Sequence, residues 1–267
     1  MNPPLCAVFS CATGRIFIHT ASLTQRMEWL PAGWVPSVVA VDIDGTLTDQ
    51  RKRLNLDAVE ALRALEDHGI PVVLATGNVR PVTYGLWRFL GLSAPFCCEN
   101  GGVLWSPDGQ EAVLRASKDE AQAAAEWLAE RLPGLDASGI ASNRWRESEW
   151  CLHPDEDLEA IQVCLAESPW SKLTVIRTGF AIHLMDPALS KGAGLQALAQ
   201  QHGWSLDGLL AVGDAPNDLS MFEHARWSVA VGGAFPEVAA AASVVSPHPH
   251  GDTFKPLVND ILQRLQR

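Results

Sequence analysis

Two short runs constrain this chain more than any other part of it: residues 37–42 (SVVAVD) and residues 209–214 (LLAVGD). Both are almost wholly apolar until they end on an aspartate. A strand with one wet face alternates in polarity. An unbroken apolar run instead fits a strand covered on both sides, as in a parallel sheet clad by helices. An acid placed directly after such a strand lies at the carboxyl end of the sheet, where open α/β sheets bind their ligands.

The segments around these runs continue the pattern. Ala58, Leu62 and Leu65 recur at helical spacing after the first run, and Gly69 is placed to end that helix. Residues 71–75 (PVVLA) read as a second strand. Pro81 then opens a second helix, with Val82, Leu86 and Leu90 expected on its inner face. This alternation predicts a doubly wound, Rossmann-like α/β domain with a mostly parallel sheet. The rhythm then changes. Residues 103–104 and 112–114 flank Ser106-Pro107-Asp108-Gly109 as a hairpin. A helix over 118–132 follows, with Ala121, Ala125, Leu128 and Leu132 on one side. Another helix is expected at 155–167 and strands at 173–176 and 180–185. This mixed stretch predicts a smaller α+β unit inserted into the first domain.

From Lys191 the alternation resumes: a helix carrying Leu195 and Leu198, the strand 209–213, a short helix with Leu219 and Phe222, and strands at 229–231 and 244–245. Leu257, Ile261 and Leu265 mark a closing helix. The expected layout is a core of residues 37–112 and 187–267, a cap of residues 113–186, and an N-terminal extension of residues 1–36. The extension has Pro3, Pro4 and a polar stretch, but neither periodicity nor a signal-peptide pattern. It reads as disordered, or as lying upstream of a start at Met27, the second being favoured.

Composition narrows the function. A formal charge of -11 argues against nucleic acid, which needs a basic footprint. No apolar run reaches the roughly 18 residues of a membrane span. The six cysteines (Cys6, Cys11, Cys97, Cys98, Cys151 and Cys164) form no CxxC pair, and read as buried reduced thiols of a cytoplasmic protein. The ten tryptophans, scattered singly, read as core and interface filling. An acidic chain that handles phosphate must gather positive charge locally, as a bound metal and a few lysines or arginines.

Four carboxylates, Asp42, Asp44, Asp214 and Asp218, stand at the ends of the two apolar runs. Converging there, they would repel one another unless a cation joined them. A hard ion with oxygen ligands fits, and Mg2+ fits best where phosphate oxygens complete its shell. The run Asp42-Ile43-Asp44-Gly45-Thr46 is more specific. One carboxylate there can accept a phosphoryl group. The other can protonate the leaving oxygen and later deprotonate water. Gly45 allows the sharp turn that brings both to a phosphate. A lone loop aspartate is ordinarily a turn residue and a lone lysine a solvated one. The combination carries the reading.

Asp42-Ile43-Asp44-Gly45-Thr46, then Thr76, then Lys191, then Gly213-Asp214-Ala215-Pro216-Asn217-Asp218 resemble, in order and spacing, the four motifs of the haloacid dehalogenase superfamily. The insertion between Thr76 and Lys191 resembles the second-class cap of sugar and small-acid phosphatases. Four further stretches are similar to archaeal-type phosphoglycolate phosphatases: 76–81 (TGNVRP), 98–102 (CENGG), 142–147 (SNRWRE) and 183–185 (HLM). The resemblance spans residue 37 to the C-terminus. It implies Asp42 as nucleophile and magnesium ligand, with Asp44 as general acid/base that reaches the metal through its carbonyl. It further implies Asp214 as a direct ligand, Asp218 as a ligand directly or through water, and Thr76, Gly77, Lys191 and Asn217 around the phosphate. The implied reaction is hydrolysis of a small phosphate monoester, 2-phosphoglycolate first. Sugar phosphates, mannosyl-3-phosphoglycerate and nucleotides are the alternatives, and a phospho-accepting regulatory module is a distant one. In the cap, Asn143, Arg144 and Arg146 form a dense cationic group suited to a substrate carboxylate. The alternative is that these arginines stack on Trp145 and Trp150 and pair with Glu147 or Glu149. His183 reads as a packed core histidine. The expected partner is a small phosphorylated metabolite, without nucleic acid or membrane, and with a homodimer allowed.

Overall fold

The two apolar runs pair in parallel, Val39 against Leu210 and Val41 against Val212, within a five-stranded sheet. The computed structural model describes residues 27–267 apart from residue 110. The first half runs β1 (Val38–Val41), α1 (Leu56–Asp67), β2 (Val72–Leu74), α2 (Arg80–Leu90), β3 (Phe96–Cys98), β4 (Val103–Trp105), β5 (Val113–Leu114), α3 (Asp119–Ala129) and β6 (Glu149–Leu152). There follow α4 (Leu158–Ala166), β7 (Thr174–Arg177), β8 (Ile182–Met185), α5 (Lys191–His202), β9 (Leu209–Gly213), α6 (Leu219–His224), β10 (Trp227–Gly232), α7 (Pro236–Ala241), β11 (Val244–Pro249) and α8 (Phe254–Leu265).

The main sheet has the order β11-β10-β9-β1-β2, and every pairing in it is parallel. Successive residues feed opposite layers. Val39, Val41, Leu210 and Val212 pack with α1 and α8, whereas Val38, Ala40, Leu209 and Ala211 pack with α5 and α6. Both faces are therefore dry, which is why these strands show no alternation. Each valine so buried stabilises the fold by about 1.5–3 kcal/mol before chain entropy is counted. The chain leaves β1 toward β2 on one side and returns as β9 on the other. The carboxyl ends of β1 and β9 thus flank the point where the strand order reverses, the usual place for a ligand crevice.

Two smaller antiparallel sheets complete the molecule: β3-β4-β5 and β6-β8-β7. The first joins the main sheet through a parallel bridge between Ala75 and Cys97. The second has its own apolar cluster with α3 and α4, including Ala125, Leu128, Leu152, Ile161, Ile182 and Leu184. A doubly wound α/β core with a smaller α+β cap is thus the architecture. β3 and β6 are strands that periodicity did not announce. The inner face of α2 also differs from expectation: Val82 is exposed, and Thr83 and Leu90 are the buried positions. The tryptophans are not all solitary. Trp87 and Trp105 meet edge to face at 4.7 Å, with Tyr84 and Phe96 against Trp105.

Residues 1–26, with Cys6 and Cys11, lie outside the described residues. Residues 27–36, expected as part of an extension, pack onto the core. Trp29 and Leu30 are buried, Trp227 Nε1 donates to the Trp29 carbonyl at 2.9 Å, and Arg264 holds the Leu30 and Pro31 carbonyls at 3.0 and 2.7 Å. Trp29 and Leu30, with Met27, Trp34 and Val35 partly buried beside them, anchor the segment without periodicity. Among the described residues, no helix is long and apolar enough to cross a membrane. Cys97, Cys98 and Cys151 are buried free thiols. Burial pushes Cys98 and Cys151 well above the ordinary thiol range, and Cys97 to about 12.

Candidate active site

At the carboxyl ends of β1 and β9, oxygen atoms of Asp42, Asp214 and Asp218 lie within 4.8 Å of one another. Two glycines make the approach possible. Gly45 has φ +83, and a methyl group there would sit 2.3 Å from Asp214 Oδ2. At Gly213 it would sit 2.5 Å from the Asp218 carboxylate carbon. Thr46 Oγ1 donates to Asp214 Oδ1 at 2.7 Å, which fixes that carboxylate. Asp218 Oδ2 accepts the N–H groups of Asp214 and Ala215 at 2.8 and 3.0 Å, closing the loop after β9.

Lys191 is the counter-charge. It is the first residue of α5, whose N-cap Ser190 accepts the Ala193 N–H at 3.1 Å. The buried ammonium donates to Asp42 Oδ1 and to Asp218 Oδ1, both at 2.6 Å. One cation among three close carboxylates leaves excess negative charge. Burial drives Asp42 well above the ordinary carboxylate range; Lys191 pulls it back, and Asp218 and Asp214 add to the rise. Burial, then the Asp218 charge, push Asp214 up to about 6 against the pull of Thr46, Lys191 and His250. For Lys191 burial works against the charged form, but Asp218 and Asp42 outweigh it and hold the ammonium above the usual lysine range. This is an acid cluster short of positive charge, built from hard oxygen donors alone, and it fits a divalent ion such as Mg2+.

Asp44 stands apart from that set. Its carboxylate is engaged by Asn78 Nδ2 and by Lys52 Nζ, the latter at 3.2 Å. Thr76 Oγ1 accepts the Asn78 N–H at 3.1 Å, which joins the loop after β2 to Asp44. Asn217 Nδ2 donates to Asn100 Oδ1 at 2.8 Å, and Asn217 Oδ1 is a buried oxygen with no hydrogen-bond partner. Beside Lys191, Asn100 and Asn217 opens a cleft of about 290 Å³, walled on the cap side by Thr174, Ile176 and Met185. Asn78 and Asn100 fall in the stretches 76–81 and 98–102 that carry the resemblance, but neither has an expected role there. Nothing in the local sequence of Lys52 signals that the fold turns it toward Asp44.

The cap meets this site through a buried polar seam. Asn100, held at φ +52, donates Nδ2 to Glu149 Oε2 at 2.9 Å, and His183 Nδ1 lies 3.1 Å from the same oxygen. Arg146 pairs with Glu149 Oε1 and donates to the Gly77 carbonyl at 3.1 Å. Glu99 accepts the N–H groups of Glu147 and Ser148 at 3.0 and 2.9 Å. Burial alone would raise Glu149, but His183 and Arg146 outweigh it and hold it below the usual range. Glu149, Cys151 and His183 have metal-ligand chemistry, yet Arg146 already supplies their positive charge.

The three cap residues expected at the substrate are engaged elsewhere. Asn143 is buried, donating to the Ser138 and Cys151 carbonyls at 2.9 and 2.8 Å and accepting the Cys151 N–H at 3.1 Å. Arg144 lies over the Trp145 ring at 4.1 Å. In place of a substrate-facing guanidinium, Arg146 is buried against Glu149 and the Gly77 carbonyl. The two arginines follow the stacking and pairing alternative, Arg144 on Trp145 and Arg146 with Glu149. His183 is fully buried, as expected of a core histidine.

A parallel sheet presenting an acid cluster with a buried lysine, under an inserted cap, defines a hydrolase that handles phosphoryl groups. Comparison with known proteins agrees. Residues 39–145 and 151–253 match the haloacid dehalogenase-like hydrolase family. The phosphoglycolate phosphatase of Methanothermobacter thermautotrophicus is 36% identical over 215 residues, covering 80% of this chain and 93% of that protein. That of Archaeoglobus fulgidus is 36% identical over 218 residues, covering 81% and 93%. A solved structure from Thermoplasma acidophilum superposes with a TM-score of 0.77 at 28% identity, covering 86% of this chain and 99% of that one. The chain belongs to the haloacid dehalogenase-like hydrolases, and within them it is a phosphatase acting on phosphoric monoesters.

Proposed function

We propose that this phosphatase hydrolyses 2-phosphoglycolate to glycolate and phosphate through an aspartyl-phosphate formed on Asp42. The observation that carries the mechanism is the convergence of Asp42, Asp214 and Asp218 around Lys191. The substrate reading rests on the relatives named phosphoglycolate phosphatase and on a cleft whose size suits a small ester.

In the first step an Asp42 oxygen attacks phosphorus, the bond from phosphorus to the leaving oxygen breaks, and Asp44 gives that oxygen its proton. In the second, water attacks the same phosphorus while Asp44 takes a proton from it, and the bond to Asp42 breaks. Thr76, Gly77, Lys191 and Asn217 are assigned to the phosphoryl oxygens. Asp42, Asp214 and Asp218, with the Asp44 carbonyl, would hold Mg2+, which supplies charge neutralisation at those oxygens. The cap, assigned to residues 113–186, excludes bulk water during transfer. Asn143 and Arg146 do not enter this scheme as substrate ligands, because Asn143 bonds the Ser138 and Cys151 backbone and Arg146 pairs with Glu149; Arg144, exposed and stacked on Trp145, is given no role in it.

Asp42→Asn should abolish phosphate release while the far-ultraviolet circular dichroism stays that of the wild type; retained turnover would refute the nucleophile. A panel of phosphate esters tests the substrate separately. A sugar phosphate or nucleotide exceeding 2-phosphoglycolate in kcat/KM would overturn the narrow claim.

A further inference from the structure

The hairpin after β1 carries a cation with no assigned task. Lys52 has φ +61, a left-handed conformation uncommon for a lysine and kept only where the surroundings fix it. Here Asp49 fixes it. Its Oδ1 accepts the N–H groups of Arg51 and Arg53 at 2.8 and 3.0 Å, and its carbonyl accepts the Lys52 N–H at 2.9 Å. Thr48 and Leu54 bridge at the base of the hairpin. The tip is therefore ordered, and it sends the Lys52 side chain back over the site. Lys52 Nζ lies 3.2 Å from Asp44 Oδ1 and 5.7 Å from the centre of the Phe180 ring, which belongs to the turn between β7 and β8. The ammonium is thus bracketed by the core on one side and by the cap on the other.

Three other cations near the site are paired. Lys191 is locked between Asp42 and Asp218, Arg146 is held by Glu149 and the Gly77 carbonyl, and Arg80 makes a two-pronged pair with Glu147. Lys52 has the most exposed side chain of these, 49% against 39% for Arg80, and it alone among them pairs with Asp44, so an incoming anion can reach it without dismantling a buried pair. Its partner Asp44 is the group proposed above to protonate the leaving oxygen. A cation beside Asp44 therefore faces the leaving group.

We propose that Lys52 is a specificity-determining residue that binds the anionic end of the leaving group. The substrate carboxylate takes the place of Asp44 Oδ1 against the ammonium, beneath the Phe180 ring, and the displaced Asp44 is freed to hydrogen-bond the leaving oxygen. One carboxylate replaces another, so the exchange leaves the charge balance at Lys52 intact. A neutral leaving group offers no such exchange. Selectivity for an acid-bearing ester would then reside in the hairpin beside the catalytic strand, outside the cap. This inference rests on the 2-phosphoglycolate reading, since it supplies the recognition of that substrate's carboxylate.

The test uses the full chain with Mg2+ and two esters of similar size: 2-phosphoglycolate, and 2-hydroxyethyl phosphate, in which a neutral hydroxymethyl replaces the carboxylate. Lys52→Asn removes the charge and tolerates the left-handed backbone. The ratio of kcat/KM between the esters should fall about tenfold in this variant, the scale of one charge-assisted hydrogen bond. Lys52→Arg should retain most of the ratio. Added salt should lower the wild-type ratio and leave that of Lys52→Asn flat, because a half-exposed contact is screened. Equal losses on both esters, or a ratio unchanged in Lys52→Asn, would overturn the proposal. A wild type that does not prefer 2-phosphoglycolate sinks the substrate reading itself, and needs no variant to do so.

Discussion

Replacing Lys191 with methionine isolates the electrostatics of the site. The side chain is fully buried and its ammonium lies 2.6 Å from two carboxylates, so a methionine fills similar volume while removing the positive charge between them. Breaking a buried ion pair by deleting one partner costs about 3–5 kcal/mol, because the other partner stays buried and unpaired. For a domain this large each kcal/mol moves Tm by roughly 2–4 °C, so the metal-free variant should melt about 6–20 °C below the wild type. A divalent ion should restore much of this. At about a hundredfold excess over its Kd, an ion that binds only the folded state adds roughly 2.7 kcal/mol. Its increment should be larger in Lys191→Met, where the carboxylates have no other counter-charge. The measurement is thermal unfolding by circular dichroism of chelator-treated wild type and variant, each with and without Mg2+. Phosphate release should fall by roughly 10²–10³ even with metal present, the scale of losing one preorganised donor. A metal-free variant melting within 2 °C of the wild type would refute the reasoning, as would Mg2+ increments no larger than those of the wild type.

Three further outcomes follow from the same geometry. Gly45→Ala should weaken Mg2+ binding at least about tenfold by calorimetry, because its methyl would sit 2.3 Å from Asp214 Oδ2 and displace a ligand; unchanged affinity would contradict the packing. Asp214, raised to about 6 without metal, takes up a proton as pH falls through that value, and a proton competes with the cation. Mg2+ affinity measured at pH 5.5 and 7.5 should therefore be weaker at the lower pH, and a flat profile would count against Asp214 as a ligand. Asn143→Ala removes three hydrogen bonds and takes the Asn143 partner from the Ser138 carbonyl and the Cys151 N–H, while the Cys151 carbonyl still accepts the Ile140 N–H, so it should cost about 1–3 kcal/mol in thermal unfolding while KM for the ester stays within about twofold. A large KM change with normal stability would return Asn143 to the substrate site.

Much of the core could be read from the chain because β1 and β9 are short, wholly buried and end on acids. Lys191 could be placed because it opens the helix after the insertion. Strand β6 could not. It begins with Glu149, and a charged residue in a fully buried strand makes sense only once Arg146 is seen to pair with it and the distant His183 to hydrogen-bond it. Strand β3 has only three residues, two of them cysteines, and its partner β4 follows in an antiparallel sense that breaks the alternating rhythm. Of the expected cap arginines, Arg146 pairs with a buried glutamate and Arg144 stacks on Trp145. Guanidinium chemistry is visible in a sequence, but whether it faces a ligand or a buried glutamate depends on a register that local pattern does not encode.

The seam through Asn100, Glu149, His183 and Arg146 has a consequence for reading mutational data. Each lobe keeps its own apolar interior, with the packing of α3, α4 and the β6-β8-β7 sheet separate from that around the main sheet. The polar contacts between them, Asn100 to Glu149 and Arg146 to the Gly77 carbonyl, set their mutual alignment. Removing Arg146 or Glu149 would strand a fully buried charge, and so would unsettle the smaller lobe and its seating over the site together. In an alanine screen such losses would pass for membership of the reaction centre, although Arg146, Glu149 and His183 chiefly hold one another.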